Sequence, residues 1–426
     1  MHHFVLKGDI CYSTEDRGLQ AAEDAYLVCV DDKSAGVFPE LPERYQDLQL
    51  IDYSGQLILP GLVDLHVHAP QFSFRGLGMD LELIDWLNTY TFPEETRYGD
   101  LAYAEEAYEA FVQHIRRGPN TRSVIFATRH VPGTVLLMDL LEESGLVTMV
   151  GKVNMDRHAP DPLREADAIT SLHDTRTWLR ETLGQYARTT PILTPRFVPS
   201  CSDELMAGLG EIQREYALPV QSHLSENQRE ISWVEELVPS AESYGHAYYK
   251  NGLFGGAVPT VMAHCVWPTK SEFDLMKKQK IWVAHCPQSN MNLSSGIAPV
   301  RRYLNAGIPI GLGSDVAAGV HTSIFRGMVD AIGVSKLYWR LVDQESAPLS
   351  LEEAFYLGTR GGGSFFGKVG SFEEGFELDA LVIDDHTLGS VREHGIADRL
   401  ARVVYRSDER QIRRKFVQGR ELDLSK

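Results

Sequence analysis

Short apolar runs alternate along the middle of the chain with longer segments whose apolar residues recur at helical spacing. Eight such runs lie between Leu62 and Asp315. This alternation is typical of βα units around a parallel sheet, and eight units predict an α/β fold with a closed (β/α)₈ barrel of the TIM type. The runs are LVDLHVH ending at His68, RSVIFAT ending at Thr128, LVTMVGKVN ending at Asn154, PILTPRF ending at Phe197, PVQSHLSE ending at Glu226, TVMAHC ending at Cys265, IWVAHCP ending at Pro287 and IPIGLGSD ending at Asp315.

Two of the segments between these runs carry recognisable helix boundaries. LAYAEEAYEAFVQHIRRG ends on Gly118, which can serve as a C-cap, and SCSDELMAGLGEIQREY contains Ser202, which can cap the helix start.

The two ends of the chain have a different pattern. Residues 1–60 and 367–426 contain short alternating runs, VLKGDICY and AYLVCVDD at one end, DALVIDD and ARVVYRSD at the other. We expect both ends to pair into one small composite β-domain, which leaves residues 61–366 as the catalytic barrel.

Composition restricts the functions that this fold could serve. The chain has 41 basic and 59 acidic side chains, a net charge of −18, which disfavours nucleic-acid and membrane-surface roles because such a surface repels phosphate groups. No apolar run approaches the length of a membrane span, and no signal peptide is apparent. The five cysteines are odd in number and scattered, which favours free thiols in the cytoplasm.

Several imidazoles and one carboxylate are predicted at the same face of the barrel. His66 and His68 are two residues apart on one strand, so both point to the same side, and His223, His264 and Asp315 stand near the ends of three other strands. Two histidines alone could equally be core residues bonded to backbone carbonyls. Five converging donors instead predict a mononuclear transition-metal site, which suits Zn²⁺ well and Fe²⁺ acceptably.

These residues lie within motifs that resemble those of the amidohydrolase superfamily, in its branch of purine and pyrimidine deaminases. Nearest in pattern are the guanine deaminases, and the likeness covers nearly the whole chain. The motifs that carry it are PGLVDLHVHAPQF, WLNTYTFPEE, TPRF before SCSDE, SHLSE, MAHC, HCPQSNMNLSSG and GLGSDVAAG.

The resemblance implies a role for each matching residue. His66, His68, His223 and Asp315 match the family's metal ligands, His264 a further histidine beside the metal and Glu226 a proton-shuttling glutamate. Gln71, Arg196 and Phe197 match the residues that hold the purine. The run PILTPRF lacks the carbamylated lysine of dinuclear members, so a two-metal site is not expected.

The chemistry of deamination fits these assignments. Water must be activated to attack an electron-poor ring carbon, and Asp315 can take its proton. A ring nitrogen and the departing ammonia must then gain protons, for which Glu226 is the candidate, although a glutamate there could merely stabilise a helix start. Arg196 and Gln71 offer donors to guanine's acceptor edge and Phe197 can stack, although an Arg-Phe pair is often purely structural.

The resemblance implies hydrolysis of guanine to xanthine and ammonia in purine metabolism, by a zinc-dependent homodimer. One alternative is a related deaminase of another amino-heterocycle, such as 8-oxoguanine, a pterin, an adenosine derivative or a triazine. Another is a catalytically silent scaffold. We expect a small purine as the only partner besides a second copy of the chain.

Overall fold

The computed structural model describes residues 2–425, and within them the chain forms seventeen strands. Their bounds, in chain order, are β1 Phe4–Ser13, β2 Leu19–Val30, β3 Lys33–Phe38, β4 Gln49–Pro60, β5 Leu62–His68, β6 Asn120–Phe126, β7 Val147–Gly151, β8 Val153–Asn154, β9 Thr189–Pro191, β10 Thr194–Pro195, β11 Val220–Leu224, β12 Thr260–His264, β13 Trp282–His285, β14 Ile310–Leu312, β15 Ala380–Ile383, β16 Ile412–Val417 and β17 Arg420–Glu421.

Fourteen α-helices lie in the same described part of the chain, most of them between barrel strands. They are α1 Leu83–Trp86, α2 Phe92–Thr96, α3 Leu101–Arg117, α4 Val131–Ser144, α5 Ala168–Thr182, α6 Asp203–Tyr216, α7 Gln228–Leu237, α8 Tyr244–Tyr249, α9 Lys270–Gln279, α10 Pro287–Asn292, α11 Val300–Ala306, α12 Ile324–Leu341, α13 Leu351–Tyr356 and α14 Ile396–Arg406. None of the helices within residues 2–425 combines the length and apolar character that crossing a bilayer requires.

All eight predicted apolar runs contain strands, which confirms the α/β barrel class. They form two four-stranded parallel sheets, β5-β6-β7-β9 and β11-β12-β13-β14, with β8 and β10 as an additional short pair. A parallel bridge between Leu193 and Val220 joins the sheets on one side. On the other side the Asp315 N–H donates to the His66 carbonyl at 2.8 Å.

Both ends of the chain contribute to a third sheet, as predicted from the runs VLKGDICY, AYLVCVDD and DALVIDD. The expectation for ARVVYRSD was wrong, because this run lies mostly in α14, whose residues Ile396, Leu400, Val403 and Val404 are buried at helical spacing. Its strand order is β17-β16-β15-β4-β1-β2-β3, so strands from the C-terminal region pair directly with β4. A small core of its own holds this sheet together, including Phe4, Leu27, Phe372, Val382 and Phe416. The exact domain boundaries stay a prediction.

Two buried cations fasten the terminal sheet to the barrel. Arg122 on β6 donates through Nε to Asp379 at 2.6 Å, and Lys415 on β16 donates to the carbonyls of Gly118 and Asn120. A buried cation is stable only when its N–H donors are hydrogen-bonded. These bonds therefore hold the terminal sheet against β6 and the residues that precede it.

Two of the helices between barrel strands have the boundary residues that the sequence predicted. Ser202 accepts a hydrogen bond from the Leu205 N–H at the start of α6, and Gly118 follows the last residue of α3, as predicted. The buried face of α3 consists of residues three and four apart, among them Ala104, Tyr108 and Phe111, which pack into the main core.

Candidate active site

Four imidazoles and one carboxylate meet at the C-terminal ends of the barrel strands. His66 and His68 lie on β5, His223 on β11 and His264 on β12, while Asp315 follows β14 by three residues. All except the half-buried His223 are buried, and the structure brings together every residue for which the sequence predicted metal ligation.

The ring nitrogens of this cluster are spaced for a single ion. His68 Nε2 lies 3.2 Å from His66 Nε2 and 3.3 Å from His223 Nε2. Asp315 Oδ1 lies 3.2 Å from His66 Nε2 and 3.4 Å from His68 Nε2. Ligands about 2.0–2.1 Å from a tetrahedral metal stand roughly 3.3 Å apart, so this donor set fits one divalent transition-metal ion.

Hydrogen bonds behind the imidazoles fix the nitrogens that face the site. His223 Nδ1 donates to the Arg196 carbonyl at 2.6 Å, and His264 Nδ1 lies 2.9 Å from Asn290 Oδ1, which can only accept. In both rings Nε2 is therefore the lone-pair nitrogen directed at the cluster, an arrangement typical of metal-binding histidines.

Burial lowers the pKa of two imidazoles of the cluster. Desolvation lowers the pKa of His66 to about 4 and that of His223 well below its ordinary value. Burial would also lower the pKa of His264, but the nearby carboxylates of Glu226 and Asp315 outweigh it and raise this pKa. Burial alone would raise the pKa of Asp315, but the nearby imidazole of His66 holds this pKa well below the usual range.

Glu226 lies beside this cluster and does not cap a helix. Its Oε1 accepts from the Ser295 hydroxyl at 3.0 Å, and its Oε2 lies 3.4 Å from His264 Nε2. Asn227 and Glu230 instead provide both halves of the capping box of α7. Desolvation raises the pKa of Glu226 to about 7, a value suited to a group that gains and loses a proton near neutrality.

Gln71, Arg196 and Phe197 line the same cavity as the cluster, and a buried glutamate orients two of them. Glu95 on α2 binds Arg196 through two contacts, at 2.5 and 3.1 Å, and accepts from Gln71 Nε2 at 2.9 Å. The Gln71 carbonyl oxygen in turn accepts from the Ala317 N–H at 3.2 Å. The glutamine amide is therefore held in one orientation.

Apolar side chains complete the lining of the cavity. They include Leu83, Trp86, Leu87 and Leu293, with Ala318 beside Asp315. A mostly apolar cavity with a few fixed polar groups is the usual form of a small-molecule site.

Sequence reasoning missed three residues that shape this site. Glu95 stands within the WLNTYTFPEE motif, but the pattern does not tell which of its glutamates is buried. Asn290, within HCPQSNMNLSSG, lies behind His264 and accepts from its Nδ1. Ser295, which holds Glu226, carried no signal beyond its place in HCPQSNMNLSSG.

Comparison with known proteins agrees with the motifs. Residues 57–422 match the amidohydrolase family. Guanine deaminase of Dictyostelium discoideum is 34% identical over 98% of both chains, and that of Homo sapiens is 34% identical over 98% of this chain and 96% of its own. The crystal structure of guanine deaminase from C. acetobutylicum with bound guanine is 44% identical, with a TM-score of 0.96 over 99% of this chain and 100% of that one.

Proposed function

The chain belongs to the amidohydrolase family and is similar to its guanine deaminases. We therefore propose that it catalyses the metal-dependent hydrolysis of guanine to xanthine and ammonia. The observation that carries the proposal is one cavity in which Gln71, Arg196 and Phe197 face the histidine cluster and Glu226. That cavity combines the groups needed to hold a purine with those needed to activate water beside it.

We assign the metal to His66, His68, His223 and Asp315, and propose one Zn²⁺ per chain, with Fe²⁺ as the alternative. Three imidazole nitrogens and one carboxylate oxygen match the preference of zinc better than that of Mg²⁺ or Ca²⁺, which favour oxygen ligands. When bound, such an ion supplies Lewis acidity that lowers the pKa of a water molecule from about 15.7 toward 7.

The protein's carboxylates move the protons of the reaction. Asp315 is placed to accept the proton that the attacking water loses, and its low pKa keeps it ionised beforehand. Glu226 gives its proton to the ring nitrogen beside the attacked carbon, regains through Asp315 the proton that the water lost, and passes it to the departing amine. The hydroxyl proton released as the new carbonyl forms then restores the Glu226 carboxyl. The Ser295 hydroxyl contacts one oxygen of the Glu226 carboxyl and the His264 imidazole contacts the other. The orientation of this carboxyl is therefore set before substrate binds.

Arg196 and Gln71 present the polar edge of the purine site. Two of the five N–H groups of Arg196 bind Glu95, and the others are available to acceptor atoms of guanine. Phe197 supplies an apolar surface for the flat ring, and Trp233 packs against it at 6.2 Å between ring centroids. Glu95 holds the N–H donors of both Arg196 and Gln71 in place. The site therefore favours a substrate whose acceptor atoms face these two side chains.

A steady-state panel tests the substrate directly. Guanine should be deaminated with a kcat/KM far above those of 8-oxoguanine, a pterin, adenosine and a triazine. Preference for any of these would establish the alternative of a related deaminase, and inactivity on all of them with metal bound would establish the silent scaffold.

We also propose that the protein is a cytoplasmic homodimer. All five cysteines are buried free thiols, which suits a reducing compartment, and the dimer rests on the family resemblance. Sedimentation equilibrium should give about twice the monomer mass, and a concentration-independent monomer would contradict the dimer.

A further inference from the structure

A cleft on the outside of the barrel shares no lining residue with the catalytic cavity. It has a volume of about 590 Å³. Its walls come from residues 72–75, the C-terminal end of α3, the start of α12 and residues 407–409. This volume lies within the range of about 300–1,000 Å³ that small-molecule sites occupy.

Three arginines line this cleft, and none of them has a carboxylate partner. Within residues 2–425, no carboxylate oxygen is paired with the guanidinium groups of Arg75, Arg117 or Arg326. Arg75 instead donates to the Phe72 carbonyl at 3.1 Å and lies 3.7 Å from the centre of the Phe72 ring, while Arg326 donates to the Tyr405 carbonyl at 3.2 Å. In a chain of net charge −18, such unpaired cations are conspicuous.

The three cations converge on the same two imidazoles. Arg75 Nη1 lies 3.4 Å from His114 Nε2, and the Thr322 hydroxyl lies 2.9 Å from the same nitrogen. Burial, and then Arg75 and Arg117, lower the pKa of His114; burial, and then Arg326 and Arg75, lower that of His321. Glu409 opposes this effect at His114.

The carboxylates at the edge of the cleft do not neutralise it. Asp408 pairs with the exposed Arg410 at 2.6 Å, and its interaction with Arg326 is weaker than this pair. Glu409 is exposed, and its carboxylate is the remaining negative charge among the lining residues. The cleft thus has an excess of positive charge that an anion would balance.

We propose that this cleft binds a small molecule carrying a phosphate monoester. The planar guanidinium fork matches the oxygens of a phosphate, and three such groups around one space provide for a dianion. The volume of about 590 Å³ leaves room for the organic part of the ligand. This inference does not depend on the reaction catalysed in the barrel.

Isothermal titration with ribose 5-phosphate, inorganic phosphate and ribose tests the proposal on the full-length protein. Ribose 5-phosphate should bind at one site per chain and ribose should not. Inorganic phosphate should bind more weakly, because it uses the arginines alone. Affinity for inorganic phosphate equal to that for the ester would overturn the assignment of a monoester ligand.

Variants separate this site from general charge effects. Arg117→Gln combined with Arg326→Gln should weaken ribose 5-phosphate binding at least about tenfold, while Glu409→Gln should strengthen it. Arg413→Gln combined with Arg420→Gln, at exposed positions on β16 and β17, is the charge-matched control and should leave binding unchanged. No binding to the wild type at millimolar concentration, or equal binding to the wild type and to the Arg117→Gln/Arg326→Gln variant, would overturn the proposal. Unchanged guanine turnover shows that each variant is folded.

Discussion

The Arg196 guanidinium and the Glu95 carboxylate form a buried two-point ion pair, with Nη1–Oε2 at 2.5 Å and Nη2–Oε1 at 3.1 Å. Oε1 of the same carboxylate also accepts from Gln71. One glutamate therefore orients both polar side chains to which the family resemblance assigns contact with the purine.

Replacing Glu95 should damage both binding and stability. In Glu95→Gln the buried Arg196 loses its counter-charge, a change that typically costs about 3–5 kcal/mol of unfolding free energy. KM for guanine should rise because Arg196 and Gln71 are no longer held, and urea denaturation with steady-state kinetics measures both effects. Glu94→Gln, which removes the neighbouring, less buried charge, is the control. Wild-type KM and stability in Glu95→Gln would refute the orienting role.

Arg196 itself should discriminate substrates through the 6-oxygen of guanine. We expect Arg196→Met to reduce kcat/KM for guanine by about 2–4 kcal/mol of transition-state binding, and to reduce it less for 2-aminopurine, which lacks that oxygen. Measuring both substrates on both proteins isolates the coupling. Equal losses would mean that the arginine does not read the 6-oxygen.

Glu226 should be needed for turnover more than for binding. Glu226→Gln keeps the shape and the Ser295 contact but cannot carry a proton, so kcat should fall on the order of 10²-fold or more while the metal content stays unchanged. Stopped assays of ammonia release provide the measurement, and Glu236→Gln, an exposed position on α7, provides the control. Near-normal turnover would place the proton shuttle elsewhere.

A buried glutamate away from the metal should make stability depend on pH. Burial raises the pKa of Glu272 from 4.5 to about 7, and its carboxyl accepts from Ser225 and from the Gly245 N–H. Between these values the folded state binds more protons than the unfolded state, so the stability that Glu272 contributes falls as pH rises from 4.5 to 7.

Glu272→Gln should remove this dependence, because its amide stays neutral. The unfolding free energy of the variant relative to wild type should rise by up to about 1.4 kcal/mol per pH unit across that window. Urea denaturation at pH 5 and pH 7 measures it, with Asp274→Asn on the same helix as control. A difference that does not change with pH would show that Glu272 is ionised in the folded protein.

The periodicity of the chain predicted the barrel because each strand coincides with a short apolar run that is visible in the local sequence. All eight apolar runs contain strands, and the histidines were found because a strand end in a barrel is also the rim of the site. Pairing of the two chain ends was inferred from short alternating runs at each end. Its register, which places Leu381 opposite Leu59, depends on packing between residues over three hundred positions apart.

The sequence did not reveal side-chain contacts between residues that are far apart in the chain. Glu95 and Arg196 are 101 residues apart in the chain, and either could have been a solvent-exposed charge. The bond between Asn290 and His264 likewise forms only once β12 and the segment after β13 lie side by side. Such contacts are set by tertiary packing, which neither motif spacing nor periodicity encodes.

The central claim is that one metal held by His66, His68, His223 and Asp315 supports deamination of guanine. The most direct test measures ammonia release from guanine and metal content on the same sample, for the wild type and for His66→Ala and Asp315→Ala. We predict about one Zn²⁺ or Fe²⁺ per active chain, with loss of metal, activity or both in each variant. Two tightly bound metals per active chain, or full activity after exhaustive chelation, would contradict the account.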